Sequence, residues 1–189
     1  MLDELNASLS LIVTQTKNNT SYLIDIIGVV WGIFFINLLL GKRLLFLGII
    51  PRNLFGIPGI FCAPFLHADF NHLFFNTIPL IVLSNFLLID GINYFLIVTA
   101  YITIISGVLT WAFAKPGIHV GASSVITGYW ALLISNIYQQ GTITAIILGL
   151  ICIYYFAGIF YALFPGKKGV SWEGHLFGLL AGLATSYFF

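Results

Sequence analysis

The sequence predicts an all-α, polytopic membrane protein with six transmembrane helices. Three observations carry that expectation. Hydrophobic residues make up 60% of the 189, with mean hydropathy +1.05. Charged residues make up only 7%, seven basic and six acidic, against roughly 25% in a soluble domain. The apolar residues fall into runs close to the about 20 needed to cross a bilayer. So few charges cannot clothe a soluble surface, and the even charge balance argues against a nucleic-acid binder. Cys62 and Cys152 form no framework and no CxxC pair.

Residues 1–21 form a short polar N-terminal segment. It ends in Asn18-Asn19-Thr20 and lacks the basic start and small-residue cleavage site of a signal peptide. Residues 22–189 read as a single membrane domain. Its first span runs from about Tyr22 to Leu40 and stops at Gly41-Lys42-Arg43. The connector that follows, Gly41 to Ala68, is apolar but broken by Pro51, Pro58 and Pro64. It is too broken to span and too apolar for a solvated loop, so it is expected at the interface or packed on the bundle. The second span covers Phe70–Leu88 and the third Ile92–Ala114, with Asp90-Gly91 turning the chain between them. No Asp, Glu, Lys or Arg occurs from Pro116 to Gly166. That stretch is long enough for two spans, Ala122–Ile137 and Thr142–Phe164, split by Asn136–Thr142. Pro165 to Gly169 closes the fifth span, and the sixth runs from Trp172 to the end.

With six spans, the second, fourth and sixth helices start on the same side. Polar groups inside spans are costly and therefore mark functional sites. His72 and Asn76 share a face at the start of the second span. Ser123 and Ser124 open the fourth, and His175 opens the sixth. Gly174, Gly178 and Gly182 form a small-residue stripe on the sixth span, and Ser124 and Gly128 form a small-xxx-small pair on the fourth, just after Gly121. Such stripes let helix backbones approach closely in lipid. If these faces meet, Ser123 and His175 come within reach of each other.

That set suffices for acyl transfer. Ser123 is the expected nucleophile and His175 the base that takes its proton. Unpaired N–H groups at the start of the fourth helix, with His72 and Asn76, supply an oxyanion hole. Glu173 lies two residues from His175 and does not face it, and Asp69 reads as an N-cap. The expectation is thus a Ser–His dyad without an acid. Bland readings stand beside it. Serines in membrane helices often bond back to their own backbone, and single histidines often only pack. His67 is read as bracing the connector, and His119 as interfacial. His67, His72 and His175 match no zinc spacing, so neither metal nor cofactor is expected.

Gly121-Ala122-Ser123-Ser124 resembles the GxSG motif of rhomboid intramembrane serine proteases. His175 to Gly182 resembles their HxxGxxxG motif, and His67 to Asn76 their HxxxxHxxxN motif. The three occur in family order over nearly the whole chain, from Tyr22 to Phe189. The resemblance implies a six-helix rhomboid-like bundle with a membrane-embedded first loop, the connector Gly41–Ala68. It implies Ser123 as nucleophile, His175 as base, and His72, Asn76 and the Ser123 N–H as oxyanion donors. The fifth helix would be a substrate gate. The partners would be transmembrane protein substrates and membrane lipid, with no nucleic acid. The sequence departs from the pattern at Ser124, where the family has glycine, and at Thr127, where it often has tyrosine. Pro58-Gly59 stands at the place of an aromatic–arginine pair, which makes Arg52 the candidate loop anchor.

The resemblance implies an integral multi-pass membrane protein, in the cell (inner) membrane if the source is prokaryotic. The active site would open to the extracytoplasmic side. Lys42, Arg43, Arg52, Lys115, Lys167 and Lys168 flank that same side, and the positive-inside rule would put it in the cytoplasm. The family orientation is preferred because an embedded basic connector is not an ordinary translocated loop. Two alternatives stay open. One is a catalytically inactive rhomboid-like protein that binds transmembrane helices. The other is a small transporter or channel, which would want charges paired across spans.

Overall fold

The computed structural model describes residues 2–165 and 171–189. Lys167, Lys168 and most of the turn expected to close the fifth span lie outside the described residues. The described elements are helical. They are α1 (Leu2–Asn18), α2 (Thr20–Leu39), α3 (Gly59–Cys62), α4 (Phe70–Leu88), α5 (Ile92–Phe113), α6 (Ser123–Gln139), α7 (Ile143–Phe156), α8 (Gly158–Tyr161) and α9 (Trp172–Thr185). Three of them, α2, α4 and α5, are long and apolar enough to cross a membrane. The helices α6, α7 and α9, with 17, 14 and 14 residues, are shorter.

The polar N-terminal segment is helical, not irregular. Asp3 and Glu4 lie in the first turn of α1 and Lys17 in its last, signs that suit the helix dipole. Bonds from Asn19 N to Gln15 O and from Leu23 N to Asn19 O carry the helical pattern through into α2. Asn19 is buried because its amide donates to Asn85 Oδ1, while the Asn85 amide donates to Thr16 Oγ1.

Contact register gives the helix directions. Asn19 meets Asn85 and Trp31 meets Thr77, so α2 runs antiparallel to α4. Tyr94 meets Asn136 and Thr99 meets Tyr129, so α5 runs antiparallel to α6. Gly178 packs on Ser124 and Gly182 on Gly128, so α9 runs parallel to α6. The centre is α6, buried without interruption from Val125 to Leu133. A helix apolar on all sides belongs in the middle of a bundle.

The connector is a chain of short turns: 3-10 helices at Arg43–Leu47, Leu54–Gly56 and Ala63–Phe65, with α3 between the last two. It packs on α5, where Gly107 makes room for Ile60. Arg52 anchors it, as its guanidinium donates to Ala112 O and Ala114 O at the α5 C-terminus. Trp111 Nε1 donates to Asn53 O at 2.8 Å. The Ala112 and Ala114 carbonyls lie at the C-terminal end of α5, where carbonyls have no partner within the helix. Ile49 and His119 exchange both backbone bonds, tying the connector to the loop before α6.

Candidate active site

Three helix starts converge here. The first is that of α6. Gly121 has φ +118°, a value that favours glycine. Its N–H donates to Ala63 O at 2.9 Å, docking the turn on the connector. A Cβ at this position would sit 2.5 Å from His72 Nε2 and 3.7 Å from the Asn76 amide nitrogen. Glycine is thus required by both conformation and space. Ala122 follows as a cap residue with no side-chain bond to offer. The first N–H groups of α6 therefore stay open beside His72 and Asn76, as anion binding requires.

The second start is that of α4. Asp69 Oδ1 accepts from His72 N at 2.9 Å, the expected N-cap. The Asn76 amide donates to His67 Nε2 at 3.1 Å, and an NH2 group can only donate, so that ring nitrogen accepts. Asn76 keeps a second N–H for another acceptor. The rings of His67 and His72 meet edge to face with centroids 5.0 Å apart. Burial, reinforced by a charge on His72, pushes the His67 pKa down to about 4. His67 is thus a neutral acceptor that orients Asn76.

The third start is that of α9. Gly178 lies directly on the Ser124 carbonyl and Cα, and Gly182 on the Gly128 carbonyl. This register sets His175 level with Gly121, two residues before Ser123. The offset in depth is about 3 Å at 1.5 Å per residue. His175 is buried, and its Nδ1 bonds Ala162 O at 2.9 Å. A carbonyl can only accept, so Nδ1 carries the proton and Nε2 keeps its lone pair.

Ser123, His72, Asn76, Gly121 and His175 thus lie at one end of the bundle. Among the described residues, no hydrogen bond joins the Ser123 hydroxyl to His175. Such bonds are often long without substrate. Gly178 and Gly182 are the close-approach glycines of the seam with Ser124 and Gly128. Gly174 is not, since a Cβ there would meet only Ser171 Oγ at 3.5 Å. Thr127 is buried and donates to Ser123 O at 2.8 Å, so its side chain is committed to its own helix and does not stack on His175. Glu173 faces Lys115 at 3.7 Å. Among the described residues no group of three His, Cys, Asp or Glu side chains is disposed to hold a metal.

Sequence reasoning missed three participants. Ala162 acts through a carbonyl, which leaves no residue signature. His67 was read only as a brace for the connector, although its spacing to Asn76 was visible. His119 was read as interfacial, yet its ring bonds Ser171 Oγ and Lys115 O, both at 2.9 Å.

Comparison with known proteins gives the family. A family model described as Rhomboid domain matches residues 56–189. Uncharacterized proteins of Mycobacterium tuberculosis and Mycobacterium bovis are each 38% identical over 163 residues, covering 80% of this chain and 67% of the relative. An uncharacterized protein of Mycobacterium leprae is 35% identical over 139 residues, covering 68% of this chain and 55% of the relative. The family match spans well over half of the chain and takes in all three converging helix starts, so the chain belongs to the rhomboid family.

Proposed function

We propose that this protein is an intramembrane serine endopeptidase that cleaves transmembrane protein substrates within or near a membrane helix. The observation that carries this reading is the Nδ1 bond of His175 to Ala162 O. It leaves Nε2 unprotonated at the depth of the uncapped α6 start, where a base for Ser123 is needed. A main-chain carbonyl thereby does for the ring orientation what a carboxylate does in a triad.

In the proposed reaction, Ser123 Oγ attacks the scissile carbonyl carbon while His175 Nε2 takes the hydroxyl proton. The oxyanion collects bonds from the Ser123 N–H, the second Asn76 N–H and His72. The C–N bond breaks as His175 returns the proton to the leaving amine. Water, losing a proton to the same nitrogen, then attacks the acyl carbon; the bond to Ser123 Oγ breaks, His175 returns the proton to that oxygen, and the acid leaves. The residues described need no cofactor for either half.

The short helices α6, α7 and α9 are proposed to complete a six-span bundle, with the connector as its embedded first loop. A short, fully surrounded α6 would hold Ser123 below the lipid headgroups. The catalytic end is proposed to face the extracytoplasmic side of a prokaryotic cell membrane, and α7–α8 to be the side from which substrate helices enter. A substrate must unwind before its carbonyl can be attacked, so helix-breaking residues at the cut should favour cleavage.

The test is a model transmembrane substrate and a serine-directed phosphonate offered to purified protein in liposomes. Ser123→Ala is expected to lose at least about a thousandfold in cleavage and all labelling. Ser124→Ala should keep substantial activity. Cleavage that persists in Ser123→Ala would reject the dyad. The missing Ser123–His175 bond and the Ser124 departure favour a second reading, an inactive helix-binding relative. Wild type that neither cleaves nor labels would establish that one.

A further inference from the structure

The two reacting groups sit on separate helices, and something must fix their relative depth at the open end. The glycine seam does so from Ser124 inward. Above it, Ser171 caps α9, its Oγ accepting from Gly174 N at 3.3 Å. That hydroxyl is itself held. His119 Nε2 bonds Lys115 O, which can only accept, so the proton is on Nε2. In the neutral ring Nδ1 then accepts, and Ser171 O–H donates to it across 2.9 Å. The His119 main chain pairs with Ile49 on both sides. One residue thus joins the connector, the turn leading to Ser123 and the cap of the helix bearing His175. Lys115 adds parallel contacts, 3.7 Å from Glu173 Oε1 and 5.7 Å over the Trp172 ring.

We infer that His119 is a positioning residue: through Ser171 it sets the place of the first turn of α9, and hence of His175, against Ser123. The consequence for catalysis rests on the endopeptidase reading, while the mechanical link does not. Misplacing a catalytic group by 1 Å can cost about 100-fold, and a loosened first turn would do this without touching the substrate site.

The experiment combines steady-state kinetics, phosphonate labelling and amide hydrogen exchange at Gly174 and His175 in the full-length protein. His119→Ala should lower kcat and the labelling rate about 10- to 100-fold with KM nearly unchanged, and speed exchange in that turn. The two amide-bearing variants then separate the ring's two bonds. Asn places an oxygen near the Nδ1 position and should restore most activity. Gln keeps only the donor toward Lys115 and should not. His119→Ala added to Ser171→Ala should cost little beyond Ser171→Ala alone.

Equal behaviour of Asn and Gln, or additive single-variant losses, would overturn the inference. So would unchanged exchange in His119→Ala, whether or not the protein is active. A wild type without cleavage or labelling sinks the endopeptidase reading, and the exchange result then still decides the link.

Discussion

The two faces of α6 are held in opposite ways. On the α9 side, backbone rests on backbone: Gly178 on the Ser124 carbonyl, Gly182 on the Gly128 carbonyl. On the α7 side, side chains make the closest contact: Gly149 lies against the Ile137 side chain, with the Leu133 carbonyl farther off, and Trp130 Nε1 donates to Cys152 O. Helix α7 then breaks at Ala157, and α8 buries none of its residues. Tyr154, Tyr155, Phe160 and Tyr161 all point outward. Main-chain atoms cannot rotate aside and side chains can. The face that sets Ser123 against His175 is therefore stiff, and the face proposed for substrate entry is compliant. Yet the carbonyl that aims His175, that of Ala162, comes from the compliant side. A substrate helix that displaced α8 would act on the base directly.

The strongest way to break this contrast is one methyl group in the stiff seam. In Gly178→Ala the new carbon would fall on the Ser124 carbonyl, so the helices must separate. The expected destabilisation is about 3 kcal/mol, read as a lower unfolding midpoint in detergent, with most cleavage lost. A midpoint equal to wild type would show that the seam is not stiff.

Acid tests the stiff side from the connector. The His67 pKa of about 4 lies below the ordinary histidine value, so the unfolded chain takes up this proton first. The associated stability is complete above about pH 6.5 and is lost as pH falls toward 4, on the order of 3 kcal/mol in all. Protonated His67 also cannot accept from Asn76, so this orienting bond, and cleavage with it, should be lost only as pH falls through about 4. His67→Gln can still accept and does not titrate, so unfolding midpoints followed from pH 7 to 4 should decline less than in wild type. Identical declines would exclude His67 as the source.

The smallest effects belong to the compliant side. A methyl at Gly149 meets the movable Ile137 side chain first and comes only within 3.1 Å of the Leu133 carbonyl, so Gly149→Ala should cost about 1 kcal/mol. A Cβ at Gly158 meets nothing within 4 Å. Gly158→Ala should be neutral or stabilising by up to about 1 kcal/mol, and by stiffening α8 should slow cleavage more than it changes the unfolding midpoint. If Gly149→Ala were as damaging as Gly178→Ala, the two faces would not differ.

Much of this was legible beforehand. The limits of α4 and α5 follow from apolar run length and from Asp90-Gly91, and the glycine spacing of α9 already pointed at Ser124 and Gly128. The N-terminal helix was not, because its polar surface resembles a loop and Asn19 finds its partners on α4, far along the chain. Nor was the anchoring by Arg52 more than a candidate until the α5 carbonyls were seen beside it.

Residue chemistry and local period alone were enough to determine a membrane-class helical chain and to single out the groups proposed to react. Each is a property of a residue or of a short run, and each survives without knowing the neighbours. Only the tertiary structure decided which His175 nitrogen carries the proton, what orients Asn76, and how the α9 cap is tied to the turn before Ser123. Those depend on a carbonyl of Ala162, a ring at His67 and a hydroxyl at Ser171. A carbonyl is common to every residue, and distant partners are chosen by packing, which no local pattern encodes.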